Sequence, residues 1–468
     1  MSAFKEIMSI RGLPHPAADE VQVSGADPVL ETQFRIAETA ASVLAGIGVA
    51  INDLWDMKTG RRQQVAIDVR AAAAALRSNK YLEARNSQGG YDYVFDPQHE
   101  ANRGLTGCYQ AKDGRWALPH FGLDHLRRRM LDLLQADPDP ASIAKAVAKW
   151  DAMDLEAAID EARLCGGMIR SHDEWMREAH GQVLAAKPVI EIMKIADSDP
   201  EPMPVGPRPL SGIRALDLTR ILAGPVTGRT LAEHGADVLM VAAAHVPQVW
   251  PYVGDTSHGK RSCFLDLTQG DEKQQLLDLV ATADVFSQGY RPAAIERLGF
   301  RPEALAAHRP GLIYVSISCY GADGPFSHRA GWEQIAQIMT GIAAEGVQSS
   351  PTYQPRLLPA AANDSITGYL GAFGALVALG RRAREGGSYH VRVSLCQTAM
   401  MIYRQGKTDH LPDDPHLTAA EVDALRVESD THLGHIRHLG PVLRLSETMP
   451  RWDLPTPQLG SGAAAWAE

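Results

Sequence analysis

From Thr32 onward, apolar residues recur at helical spacing through Ile36, Ala40, Val43, Leu44, Ile47, Ile51 and Leu54, and Gly60, with Lys58, Arg61 and Arg62 nearby, marks the end. The next residues, QQVAIDV, read as a strand, and AAAAALRS reads as a short Ala-rich helix. A distant stretch repeats this grammar. In residues 361–396, AANDSITGYLGAFGALVALGRRAREGGSYHVRVSLC, the positions Ile366, Leu370, Phe373, Leu376 and Val377 share helical spacing, Gly386 and Gly387 stop the helix, and YHVRVSL alternates like a strand. The ungapped shift that places Glu38 on Asp364 also carries Leu44 to Leu370, Gly48 to Gly374, Gly60 to Gly386 and Val65 to Val391. Internal duplication and generic helix-to-strand similarity both produce such a match. Asn363, Asp364 and Ser365 are all N-cap types, so local sequence reads Asp364 as a cap, placed where unpaired N–H groups favour a negative charge.

The rest of the pattern divides the chain. Residues 1–29 mix Pro, Gly and acids without periodicity and read as an N-terminal tail, and residues 30–90 as a helix–strand segment packing on the large domain. Residues 91–165 form a small α+β domain: GCYQAKDGRWALPHF predicts a hairpin around Asp113-Gly114, with helices near 122–135, 142–149 and 155–164. Residues 166–209 supply a return helix near 173–185 and a linker carrying Pro200, Pro202, Pro204, Pro207 and Pro209. In residues 210–400 strands and helices alternate, which predicts an α/β, doubly wound, Rossmann-like parallel sheet with its ligand edge at the strands' carboxyl ends. Residues 401–468 form a C-terminal extension.

Composition narrows the function classes. Hydrophobic content of 45% and charged content of 22% are those of a globular protein. The net charge of -10 comes without a dense Lys/Arg tract, which argues against a nucleic-acid partner. Five cysteines form no CxxC pair, the N-terminus shows no basic-then-apolar leader, and no long apolar run suggests a membrane span, so a cytoplasmic protein is expected. The 17 histidines form no metal-ligand motif, and no metal is expected. The first turn of the alternating region, RILAGPVTG, is neither GxGxxG nor a P-loop, so NAD and ATP have no specific support.

The segment LSGIRALDLTRILAGPVTGRTLAEHGADVL resembles the class III CoA-transferase family, and the motifs HGKRSCFLDLT, GYRPAAIERLGF, GLIYVSISCYGADGPFSHRAGWEQIAQIMTG and NDSITG follow in the family's order. The resemblance covers residues 208–400. Residues 30–200 resemble the later part of the same family's chain, so the architecture is expected to be permuted, with the helix segment present twice. The resemblance implies transfer of CoA between an acyl-CoA and a small carboxylic acid, with no tightly bound cofactor and the CoA thioester as substrate. It implies a homodimer of the family's kind, in which two chains can intertwine. Asp364 would be the nucleophile, ionised at its ordinary pKa of about 3.9 and needing no general base. Leu222, Ala223, Leu265, Asp266, Leu267, Thr268, Gly289, Tyr290, Arg291 and Arg297 would meet CoA; Lys260 and Arg261 would either reach phosphate or stay on the surface; and Glu333 would lie near the active acid. Arg297 also reads as a solvated helix-end charge. Ala242, Ala243 and Ala244 replace charged residues usual in the family, NRGLTG (102–107) is a reduced glycine loop, and Trp332 stands where the related racemases carry a histidine base. Acyl-CoA isomerisation, intramolecular CoA migration and a non-catalytic CoA-binding subunit are the competing readings.

Overall fold

The runs RALDL, DVLMVA, VFSQ and IYVSIS are apolar on both sides, as strands of a sheet covered on both faces must be. In the computed structural model, which describes residues 2–291, 293–345 and 354–467, they form the centre of a seven-stranded sheet. From edge to edge its strands are Lys260–Phe264, Asp237–Ala242, Arg214–Leu218, Val285–Gln288, Ile313–Ser318, Ser388–Ser394 and Ile190–Ala196. All pair in parallel except Ile190–Ala196, which runs antiparallel to Ser388–Ser394. Successive residues feed opposite cores: Ala215, Val238, Val285 and Ile313 join one cluster, and Leu216, Leu239, Phe286 and Tyr314 the other.

Numbered along the chain, the six parallel strands lie in the order 3-2-1-4-5-6. The strand order therefore reverses between Arg214–Leu218 and Val285–Gln288, and the turns leaving these two strands splay apart and open a crevice at their carboxyl ends.

The apolar helix Ala362–Glu385 packs under this sheet against Ala223–Glu233 and against Ile36–Thr59. Ile36–Thr59 is long and apolar enough to cross a membrane by length and composition, but here it is a core helix with 18 of its 24 residues buried. The repeat seen in the sequence is also a repeat of structure. Both helices have 24 residues, and the residues before them, Arg35 and Ala361, have φ/ψ of -77°/59° and -78°/60°. A Cβ on Gly48 would lie 2.3 Å from Val65 Cγ1, and one on Gly374 would lie 2.4 Å from Val391 Cγ1. The following strands end at Asp68 and Ser394, each capping the next helix through its side chain.

The small domain has three short antiparallel strands, Tyr109–Gln110, Trp116–Pro119 and Gly166–Met168, with its own core beneath helices Asp124–Leu134, Pro140–Val147 and Ala152–Glu161. Two segments differ from the sequence reading. Residues 1–29 are not an irregular tail: Ala3–Arg11 is a helix capped by Ser2, with Ile7 packed on Gly46 and Arg11 buried against Asp53 at 2.6 Å, and Val21–Ser24 pairs with Val65–Asp68. Nine residues are too few for periodicity to register, and tertiary packing orders them. The return segment contains, besides helices His172–Arg177 and Ala179–Ala185, the Ile190–Ala196 strand that completes the large sheet.

Candidate active site

Two strand-to-helix turns and one helix start meet at the crevice. The turn after Arg214–Leu218 brings Leu222 and Ala223, the turn after Val285–Gln288 brings Gly289, Tyr290 and Arg291, and the Ala362–Glu385 helix brings Asp364 on its third residue. Together with Trp332 and part of the small domain they enclose a cavity of about 380 Å³. A second cavity of about 490 Å³ lies against Tyr252, His99 and Leu358, and Ile221, Trp332 and Asp364 line both. Asp364 is the only carboxylate shared by the two among the described residues.

The helix start that carries Asp364 is capped from outside. Glu333 accepts four hydrogen bonds: Oε1 from Asn363 N at 3.2 Å, Asn363 Nδ2 at 3.0 Å and Gln337 Nε2 at 2.7 Å, and Oε2 from Asp364 N at 2.6 Å. The local reading of Asp364 as a cap is thus corrected, because Glu333 fills that role and leaves the Asp364 side chain free for the cavities. Burial lifts Glu333 to about 7, with its donors opposing the rise. Burial and then the Glu333 charge push Asp364 well above the usual carboxylate range. The expectation of an ordinary aspartate therefore does not hold in the unliganded site: the four donors keep the charge on Glu333, and Asp364 takes up a proton more readily than a solvated acid. Replacing Glu333 with Gln removes the repelling charge, so the acid limb of the kcat/KM profile of Glu333→Gln is expected to move to lower pH. An unmoved limb would show that Glu333 does not set the titration of Asp364.

The same device recurs at the first helix of the repeat. Glu38 N donates to Asp27 Oδ2 at 2.9 Å, while the Glu38 carboxylate pairs with Arg35 at 3.0 Å. Asp27 is raised to about 6, mainly by burial. Glu38 lines neither cavity at Asp364.

Not every expected CoA residue reaches the crevice. Lys260 is fully buried, with Nζ 2.8 Å from both Asp217 Oδ2 and Pro225 O, and it braces the interior. Arg261 forks onto Asp237 and also donates to Ala465 O. Lys260 is therefore held inside the protein, while Arg261 stays part-exposed in an ion pair at the sheet edge. Leu265, Asp266, Leu267 and Thr268 follow the Lys260–Phe264 strand at the same sheet edge but outside the cavity lining; Asp266 Oδ1 accepts from Thr268 N at 3.0 Å and Oγ1 at 2.7 Å. Arg297 is exposed and lines neither cavity. Glu333 lines the second cavity.

The cavity holds cations that the sequence reading passed over. Arg220 lines it with no carboxylate partner among the described residues, and burial lowers its pKa. His125, from the small-domain helix Asp124–Leu134, is lowered by burial and by Arg220, Arg291, Arg129 and Arg128 around it. The cations of this collar, Arg220 and Arg291, suit phosphate groups, with the His125 imidazole beside them. The run Arg127-Arg128-Arg129 was the available signal, but only the fold brings it beside Arg220 and Arg291.

The model of CoA-transferase family III matches residues 210–422. An acetyl-coenzyme A transferase (nodX) of Hypoxylon pulicicidum is 31% identical over 412 residues, covering 79% of this chain and 69% of the relative. The chain belongs to CoA-transferase family III. This family III enzyme, which transfers CoA, is also 30% identical to an acyl-CoA transferase of Gibberella moniliformis, over 75% of this chain and 72% of that one. Among solved structures, a hypothetical protein of Mycobacterium tuberculosis is similar at 31% identity and a TM-score of 0.40, over 44% of this chain and 58% of that one. The family match begins at the linker's end, where the sequence resemblance also begins.

Proposed function

We propose that this enzyme moves CoA from an acyl-CoA to a carboxylic acid through covalent intermediates on Asp364. The observation that carries the reading is the position of Asp364 at the junction of two cavities, one with a cationic collar beside a topological switch point and one walled by aromatic side chains. CoA would occupy the first cavity, with its phosphates near Arg220, Arg291 and His125, and the acyl group would reach past Asp364 into the second.

In the ionised state, an Asp364 carboxylate oxygen attacks the thioester carbonyl; the C–S bond breaks and CoA leaves as thiolate, giving a mixed anhydride. The thiolate then attacks the aspartyl carbonyl and releases the first acid as its carboxylate. The incoming carboxylate attacks the resulting aspartyl thioester, and the thiolate finally takes the new acyl group and frees Asp364. Positioning dominates such chemistry. Glu333 occupies the N–H groups of Asn363 and Asp364, so it fixes the helix start and keeps those two donors from serving the oxyanion. The setting proposed is cytoplasmic, supported by five free thiols, four of them buried.

The test is chemical capture. Protein incubated with acyl-CoA and then hydroxylamine is expected to carry a hydroxamate on the peptide containing Asp364, read by mass spectrometry. Turnover without any mass change at Asp364, across donors that the enzyme converts, would overturn the aspartyl route.

A further inference from the structure

The two helix–strand units of the repeat stand in matching settings, strand for strand. The shift that places Glu38 on Asp364 carries Val65 to Val391 and Ile67 to Val393. On one side, Val21 and Val23 pair in parallel with Val65 and Ile67, as Val315 and Ile317 pair with Val391 and Val393. On the other side, Leu445 pairs antiparallel with Val65, as Ile192 does with Val391. The sheet of Val21–Ser24, Val65–Asp68 and Arg444–Leu445 therefore reproduces one end of the seven-stranded sheet in the same register, and it stops at Val21–Ser24, where the large sheet continues to Val285–Gln288.

The outer strands are exchanged. Ile190–Ala196 follows the first unit in the chain but completes the sheet of the second, and Arg444–Leu445 follows the second but completes the sheet of the first. The long helices of the two units also meet symmetrically. The same shift carries Leu54 to Gly380, and a Cβ on Gly380 would lie 3.5 Å from Leu54 Cδ2. A residue touches its own counterpart only beside a twofold axis, so the Ile36–Thr59 and Ala362–Glu385 helices cross on one. Reciprocal exchange of strands about a twofold axis is how two swapped subunits join, and here one chain supplies both.

The symmetry extends to the cavities. One of about 830 Å³ lies beside Glu38, with Val23 and Val69 in its wall; their counterparts Ile317 and Leu395, with Asp364, line the cavity proposed for CoA. The Ala3–Arg11 helix takes the part of Ala223–Glu233. Ser2 and Ala3 begin it at the first cavity as Leu222 and Ala223 begin the other at the second, and it packs Ile7 on Gly46 of its long helix as the other packs Val226 on Gly368. The rest of the match is one-sided. Among the described residues nothing in the first unit stands for the Val285–Gln288 strand or for Gly289, Tyr290 and Arg291 after it. Conversely, the small domain follows only the first unit, yet its Leu123, His125 and Leu126 close the cavity at Asp364, and no described residue after Leu395 lines that cavity or the one behind it.

We infer that this chain holds both members of a twofold pair: the second unit supplies Asp364 and the CoA loops, the first supplies the closing domain in the place of a partner subunit, and the enzyme works as a monomer with one CoA site. This replaces the homodimer implied by the resemblance. The exchanged strands and the helix contact on the axis, which a second copy would have to supply, are already filled from within. Only the location of the CoA site rests on the reading of Asp364.

The experiment begins with the intact protein. Sedimentation velocity with fluorescence detection is expected to give the mass of one chain from nanomolar to micromolar concentration, with turnover per chain unchanged over the same dilution, and calorimetry is expected to find one CoA per chain. A protease site placed at Val205, which is 98% exposed in the linker between the units, gives a second measurement. After cleavage the two pieces are expected to co-elute and keep their turnover, because each holds a strand in the other's sheet. A two-chain mass at assay concentration, or turnover per chain that falls on dilution, would overturn the inference. So would two CoA per chain, which would make the Glu38 cavity a working site, and so would pieces that part after cleavage without denaturant or stay together without turnover. Failure of CoA binding, or of hydroxamate capture at Asp364, would sink the proposed function, while mass, dilution and cleavage still decide this inference.

Discussion

Asp364→Asn is expected to lower CoA transfer by about 10⁴-fold or more, the scale of losing a covalent nucleophile, and at the same time to raise the melting temperature at neutral pH. The first effect follows from the proposed route, in which every acyl group passes through this carboxylate. The second follows from its environment. Asp364 is buried beside Glu333, and its carboxyl holds a proton more tightly in the folded chain than in the unfolded one. Between the ordinary carboxylate range and the raised folded value, the folded state binds more protons, so stability falls as pH rises through that window. Asparagine keeps the shape and removes the penalty. Each tenfold difference in proton affinity between the folded and unfolded chain corresponds to about 1.4 kcal/mol, and in a chain of this size a gain of about 1–3 °C is expected. Below the unfolded carboxylate's own titration the gain should vanish, because both states then hold the proton. Glu38→Gln is the matched control: Glu38 occupies the equivalent place in the repeat but pairs with Arg35 and lines neither cavity, so turnover should change less than about threefold. Differential scanning fluorimetry across pH, beside steady-state assays, reads both effects. A large loss in Glu38→Gln, or an intact Asp364→Asn enzyme, would place the chemistry elsewhere.

Legibility followed the length scale of the cause. The large domain could be read because each of its strands is a buried apolar run and each helix a periodic one, so local pattern and tertiary fate agree from Arg214 to Ser394. The repeat could be read for the same reason, and the structure extends it to helix starts and side-chain caps that no shift of the sequence displays. The Ala3–Arg11 helix and the Ile190–Ala196 strand were missed because the first is too short and the second lies between a helical pair and a proline run. Charges were the hardest to place. Sequence shows that Lys260 and Arg261 are cations but not that Asp217 and Asp237 already hold them. Conversely, Arg220 looks like an ordinary surface charge until the fold sets it beside Arg291 in the cavity that reaches Asp364. Glu333 was found only as an acid near the site; its part as the cap that frees Asp364 depends on a contact across about thirty residues of chain.

Gly368→Val is expected to destabilise the protein by about 3 kcal/mol, the upper part of the usual range for overpacking. Gly368 lies one helical turn beyond Asp364, where the Ala362–Glu385 and Ala223–Glu233 helices touch. A Cβ there would stand 2.4 Å from the Ala223 carbonyl oxygen and 2.6 Å from Val226 Cβ, and the backbone atom cannot rotate away. Thr227 Oγ1 donates to Gly368 O at 2.8 Å across the same contact, so separating the helices also breaks a buried hydrogen bond. The strain would reach the chemistry, because Leu222, Ala223 and Gly224 line the proposed CoA cavity at the start of the displaced helix. Gly368→Ala, the milder change, should therefore raise KM for CoA even where the protein still folds. Gly104→Ala gives the opposite sign. It is also a helical glycine, but exposed and with nothing within 4 Å of its would-be Cβ, so alanine should stabilise by about 0.5–1 kcal/mol through helix propensity alone. Urea denaturation of the three variants separates the two effects. Wild-type stability in Gly368→Val would mean that the helices part without cost, and that their close approach does not hold the crevice in place.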